Sequence, residues 1–449
     1  MRRLLPLVCA GAGTVLLAAC GDRPAPSAPA ASLSTGTAAG ENFEVWAVDQ
    51  SNTTGLLYGG KIVIYDGSDL MGEAAAKAAP TATLDLAGAT AELCRASTGA
   101  NPVRPHMLLF NRAHSHAVLS FVVSGHVVVF EAASRTPVSC IRTSPGAGEA
   151  RQAHAAFPSP DDSYVLVANQ NGKLLERIDT DYSAGHFELN PAATLNLATC
   201  TTPSGLPCQT PELRPDNAPI CPIVDGGGRN AFVTLRGGGM FVVDAKQTPM
   251  AIVGEYDRAT VAGNGCGGAQ AGGAMWINSG GGTASNLHGF DVYRFPLAGY
   301  SAANARNSPA PELLFTAAGH DRDGHGMVTT KHDRFLWTFD RAANVAEVFD
   351  VASGARINTV RLAGAVSSDP TPDLVDIAPS GNRMFVTLRG SVPLSGDPHV
   401  ASGTTPGIGV VQLTRGGRGG FLRAVVPISN VDAGGDDRAD PHGIRVRRR

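Results

Sequence analysis

The sequence predicts an all-β fold in which seven small sheets close into a ring, and three observations predict it. Short runs rich in Val, Thr and Ile are punctuated by 54 Gly and 30 Pro in 449 residues, with no long amphipathic helical pattern. One grammar of strand, turn and strand recurs along the chain. The two ends of the chain each hold part of that grammar, and together they complete one more copy.

The chain begins with a targeting segment. Arg2 and Arg3 precede the apolar stretch Leu4 to Leu17, and Leu17, Ala18, Ala19 and Cys20 form a cleavage box. The stretch is too short and too broken by Gly to span a bilayer. It resembles the lipobox of bacterial lipoproteins. That resemblance implies a signal peptide over residues 1–19, removal of that peptide, and lipidation of Cys20. Gly21, rather than Asp, follows the cysteine, which by the sorting rule of Gram-negative lipoproteins implies the periplasmic face of the outer membrane. The expected location is therefore extracytoplasmic, with the membrane as a partner through the lipid.

Residues 20–40 are Pro, Ala, Ser, Thr and Gly with almost no bulky apolar side chain, so they are expected to form a flexible tether. The folded domain is expected over residues 41–449. Loss of Arg2 and Arg3 leaves 34 basic against 39 acidic side chains, a net charge of −5. No basic stripe with interleaved aromatics occurs, which argues against nucleic acid as a partner. Arg445, Arg447, Arg448 and Arg449 read as a solvated end.

Six cysteines follow the lipobox: Cys94, Cys140, Cys200, Cys208, Cys221 and Cys266. An even number outside the cytoplasm favours disulfides. Cys200 and Cys208 flank a Pro- and Gly-containing loop and are expected to pair locally. The other four stay unassigned at this point.

The repeat is clearest at residues 154–178, HAAFPSPDDSYVLVANQNGKLLERI: an apolar strand, a Ser-Pro-Asp-Asp turn, the strand from Tyr164, an Asn/Gly turn and a third strand. It resembles the YVTN type of propeller repeat and, more loosely, the lactonase-like propellers. Copies open at His106, Cys221, His325 and Asp373, and a degenerate one near Cys266. The seventh is split. HGIRV from His442 is a first strand with nothing after it, whereas FEVWAVDQSN and GGKIVIYD near the other end are second and third strands without a first. The resemblance and the count imply a seven-bladed β-propeller closed by pairing of its N- and C-terminal strands.

In a propeller the first strand of each blade lines the axis, so matching positions form a ring. Here the ring reads His442, His106, His154, Cys221, Cys266, His325 and Asp373, all metal-ligand types. It is either a site for copper or another divalent metal, or a polar lining that bonds backbone and water. Cys221 and Cys266, on consecutive blades, are either a disulfide or soft ligands. The loops entering blades 6, 7 and 1 add His320, Asp321, Asp323, Asp369, Asp376, Asp436, Asp437 and Asp440. These are expected to crowd one rim, where carboxylates repel unless a cation intervenes. His114 and His116 form an H-x-H pair in the turn of blade 2. The Gly runs at 225–228, 236–239 and 279–282 lack a following Lys-Ser/Thr, and neither G-x-S-x-G nor H-E-x-x-H is present, which removes the commonest phosphate-binding and hydrolase readings.

Three functions fit these residues. One is a binding module that offers a face of the disc to a protein or small molecule. Another is a copper or zinc protein acting in electron transfer or metal delivery, by analogy with seven-bladed copper enzymes such as nitrous-oxide reductase. The third is lactonase-like hydrolysis by the rim acids, aided by a divalent cation.

Overall fold

In the computed structural model, which describes residues 42–280, 289–317, 322–392 and 402–449, twenty-eight strands pair into seven antiparallel sheets of four. The chain is a seven-bladed β-propeller. The signal peptide, Cys20, the whole tether, His320 and Asp321 lie outside the described residues.

Blade 1 runs outward from the axis as Pro441–Arg448, Phe43–Asp49, Lys61–Asp66 and Ala82–Asp85. Val45 faces Val446 and Ala47 faces Ile444, so the last strand of the chain is the innermost strand of its first sheet. This closure leaves no open edge between the first and last blades. The innermost strands of blades 2 to 7 are Pro105–Phe110, Ala153–Pro158, Pro219–Val224, Gly268–Ala271, Gly324–Thr329 and Pro372–Ile377. No helix among the described residues is long and apolar enough to cross a membrane. The longest is Ala89–Thr98, which the Cys94–Cys140 disulfide ties to the outer strand Thr136–Arg142.

The continuous apolar runs in the sequence have a simple cause. Second strands are covered on both faces by neighbouring blades, so Tyr164–Asn169 and Phe335–Asp340 are buried at every position. Outer strands such as Arg356–Arg361, where only Val360 is buried, are open to solvent on one side and carry polar side chains. Trp46, Trp276 and Trp337 are fully buried in separate clusters that join adjacent blades. Each buries roughly 200 Å² of ring, worth a few kcal/mol at about 25 cal/mol per Å².

The inner strands carry the feature that builds the site. In six blades the register against the second strand slips by one residue, between Pro105 and Leu108, Ala153 and Ala155, Pro219 and Pro222, Gly324 and Met327, Pro372 and Val375, and Ala47 and Asp49. Each slip is a β-bulge at the ring residue, and a bulge re-aims a side chain. Blade 5 has a short, regular inner strand instead. The bulged strands approach closely: a Cβ on Gly326 would sit 2.2 Å from the Asp373 carbonyl, and one on Gly443 2.6 Å from that of His106. Side chains of the second strands then lock successive blades. Ser120 Oγ donates to the His154 carbonyl (3.2 Å), Asn278 Nδ2 to that of His325 (2.8 Å) and Thr387 Oγ1 to that of His442 (2.6 Å).

Two further disulfides occur, Cys200–Cys208 and Cys221–Cys266. The second joins the inner strand of blade 4 to the segment entering blade 5.

Candidate metal centre

The bulges bring His325 of blade 6, Asp373 of blade 7, His442 of blade 1 and His106 of blade 2 together at the axis. All four are buried. The donor atoms of His325, Asp373 and His442 lie within 4.8 Å of one another. His442 stacks on His106 with ring centroids 3.8 Å apart, and His106 meets His154 edge-on at 4.7 Å.

Hydrogen bonding fixes the tautomers. An ionised carboxylate only accepts, so His442 Nδ1 donates to Asp373 Oδ2 at 2.8 Å. Gln50 Nε2 donates to Asp440 at 2.8 Å, which leaves Gln50 Oε1 to accept from His106 Nδ1 at 3.1 Å. His154 Nδ1 donates to the Ile220 carbonyl at 3.0 Å. His442 and His106 therefore keep their Nε2 lone pairs for something else. The Nε2 atoms of His106, His325 and His442 and Oδ1 of Asp373 are buried without a hydrogen-bond partner. His325 Nε2 and Asp373 Oδ1 stand 3.3 Å apart. Two donors each about 2.1 Å from one tetrahedral ion would be separated by roughly that distance.

Charge supports the same assignment. Burial, joined by the nearby guanidinium of Arg341, holds the His325 imidazole well below its ordinary value, and burial does the same to His106. Burial lowers His442 as well, although Asp373 opposes it. The rings are thus neutral at pH 7, the form that binds metal. Burial works against ionising Asp373, but the imidazoles of His442 and His325 and the guanidiniums of Arg341 and Arg389 outweigh it and hold the carboxyl well below the usual range. Arg389 grips Asp440 and also reaches Asp373 at 2.8 Å, while Arg341 pairs with Asp323 at 2.8 Å. Among the described residues of the cluster, two guanidiniums serve three carboxylates.

The sequence-based rim of acids is corrected by this arrangement. Asp323 and Asp440 are buried partners of arginines rather than an open carboxylate cluster. Asp369 accepts from Asn344, Asp436 pairs with Arg438, and Asp437 accepts from the Asn430 and Ala439 amides. Asp376 lies at the other end of the inner strand, where it lines a depression of about 300 Å³ with His114, Arg445 and Arg448. His114 and His116 do not converge. His114 has φ 54° and stacks on Phe110, whereas His116 bonds Ser115 and packs on Tyr182.

Gln50, Arg341 and Arg389 were not anticipated. Each is the residue after a second strand, on the adjacent blades 1, 6 and 7. The same position is polar in blades 3, 4 and 5, at Gln170, Arg236 and Ser279, but is Val122 in blade 2.

No family model and no curated protein matches the chain. Among solved structures it is similar to a protein of Bacteroides uniformis provisionally named a 6-phosphogluconolactonase, at 12% identity and TM-score 0.55, covering 91% of this chain and 100% of that one. A protein from Lactobacillus plantarum gives 12% identity, TM-score 0.54, and coverage of 90% and 99%. A Bacteroides fragilis protein, also provisionally a 6-phosphogluconolactonase, gives 11% identity, TM-score 0.50, and coverage of 90% and 98%. At these identities the likeness shows the fold and nothing about chemistry.

Proposed function

We propose that this propeller holds a copper or zinc ion at its axis, with His325, His442 and Asp373 as ligands and His106 beside them. The observation that carries the reading is the set of buried Nε2 atoms of these histidines, which have no hydrogen-bond partner and gather around Asp373. Imidazole nitrogen suits zinc and copper, and Nδ1–H groups held by Asp373 and Gln50 are the outer contacts that orient metal-binding histidines. A site enclosed by protein donors suits retention of the ion, electron transfer or its delivery. Hydrolysis needs an open position for water, and Asp323 and Asp440 are already held by arginines.

The resemblance of residues 17–20 to a lipobox supports a disc held outside the cytoplasm by a lipid on Cys20, and six cysteines in disulfides suit an oxidising compartment. Substitution of Cys20 by Ser should move the protein from the membrane to the soluble extracytoplasmic fraction. An unchanged distribution would remove the anchor.

Elemental analysis of protein purified without chelator tests the centre. The expected result is close to one copper or zinc per chain, lost in His325→Ala/His442→Ala, with N/O scatterers at about 2.0–2.1 Å by X-ray absorption. A metal-free wild-type protein that takes up neither ion would overturn the reading and leave a plain binding propeller.

A further inference from the structure

The opposite arc of the axial ring holds a second group of donor side chains, drawn from four consecutive blades. A ring nitrogen of His154 and the sulfurs of Cys221 and Cys266 lie within 4.8 Å of one another. Met107, the neighbour of His106 in the blade 2 bulge, places its Sδ 3.9 Å from Cys221 Sγ and 3.7 Å from Cys266 Sγ. Met107, Cys221 and Cys266 are buried, and their surroundings include Ile220, Met275 and Ile277. A structural staple between blades 4 and 5 needs only the two cysteines. It explains neither the thioether against both sulfurs nor the imidazole beside them.

We infer that the Cys221–Cys266 disulfide is the closed form of a soft-metal site, and that its reduction creates a cuprous-ion site made of two cysteine sulfurs, the Met107 thioether and His154. Thiolate and thioether are the ligands that select Cu(I) over harder ions. The apolar setting acts in the same direction, because an ion of single charge on thiolate ligands leaves little net charge to bury. Copper carries no change of oxidation state in this step. A dithiol transfers two electrons and two protons to the Cys221–Cys266 bond, which breaks to two thiols while the reductant closes to its own disulfide. Binding of Cu(I) then releases thiol protons to solvent as Cu–S bonds form. The site does not depend on the axial centre, since it shares none of the ligands proposed there.

The test is anaerobic titration of the full chain with Cu(I) against a coloured chelator, with and without prior treatment by a dithiol that is then removed. Thiols are counted in parallel. The expected result is one additional Cu(I) per chain after reduction, with thiolate-to-copper absorption. Met107→Leu should keep the thiol count and weaken that increment about 10-fold or more. His325→Ala/His442→Ala should retain it, which separates this proposal from the axial one. The inference fails if reduction adds no copper, or if the increment persists in Cys221→Ser/Cys266→Ser and so belongs to another cysteine pair. If the double serine variant does not fold, an unchanged increment in both Met107→Leu and His154→Ala overturns it equally.

Discussion

Arg389 holds Asp440 through Nε at 2.5 Å and Nη2 at 2.8 Å while its Nη1 reaches Asp373 at 2.8 Å, so one guanidinium joins blade 7 to the segment entering blade 1. All three side chains are almost wholly inaccessible to solvent. Removing one member of such a pair strands a buried charge, which costs about 3–5 kcal/mol. Arg389→Met should lower stability by that amount, read from the urea midpoint of metal-free protein. Asp440→Asn alone should also destabilise, and the double variant should cost clearly less than the two losses combined. Additivity within about 0.5 kcal/mol would mean that the two residues are not coupled.

The histidines set a pH dependence whose sign is fixed by their environment. Burial depresses His106, His325 and His442 in the folded chain, so below about pH 6.5 the unfolded chain binds more protons. Stability from the neutral rings is complete above that pH and is lost as pH falls. Asp49 works the other way. Burial raises it to about 6, so the cost of its buried charge is relieved as pH drops through that value. Burial also depresses His114, His116 and His126 and raises Glu176, so six histidines oppose two carboxyls, and the melting temperature of chelator-treated protein should fall between pH 7.5 and 5. His325→Gln should flatten the slope. A wild-type melting temperature that is constant or rises over this range would contradict the assigned protonation states.

What could be read from the chain beforehand was the part governed by period and repetition. HGIRV at the end and FEVWAVDQSN near the start have the alternation and turn signals of adjacent strands, so closure followed from local patterns. The ring of His106, His325, Asp373 and His442 followed because each opens a repeat. Arg341 and Arg389 were hidden because a charged residue after a strand ordinarily reads as a solvated turn, and the same position holds Val122 and Ser279 in other blades. The acids converge in part, since Asp323, Asp373 and Asp440 meet through Arg341 and Arg389, and the others diverge for a geometric reason. Sequence neighbours such as Asp373 and Asp376 are separated by roughly 10 Å along a strand, and that puts them at opposite ends of the axis.

Closure of the ring is also sensitive to a single methyl group. Gly443 follows His442 in the final strand, and a Cβ there would meet the His106 carbonyl at 2.6 Å and the Leu108 amide nitrogen at 3.1 Å. Both atoms are backbone of the neighbouring inner strand and cannot swing aside. Gly443→Ala should cost about 1–3 kcal/mol, as overpacking of a tight interior does. Hydrogen exchange should show the loss first in the amides of Phe43–Asp49, which pair with the last strand. Equal protection of that strand in variant and wild type would show that blades 1 and 2 can separate without strain.

Gln50 separates a metal centre from a hydrogen-bonded polar core. Its Oε1 accepts from His106 Nδ1 and its Nε2 donates to Asp440, so it relays the orientation set by the Arg389–Asp440 pair to an imidazole that it holds in the Nδ1–H form. Gln50→Leu removes that acceptor and frees the ring to change tautomer, while the segment after the Phe43–Asp49 strand remains in place. If the axis holds copper or zinc, loss of this outer contact should weaken metal affinity about 10- to 100-fold, with the stoichiometry at saturation unchanged. Competition against a chelator of known affinity gives the number. In a merely polar core the same substitution would leave unpaired groups at Asp440 and His106 and lower stability by about 1–3 kcal/mol, with no metal-dependent difference between variant and wild type.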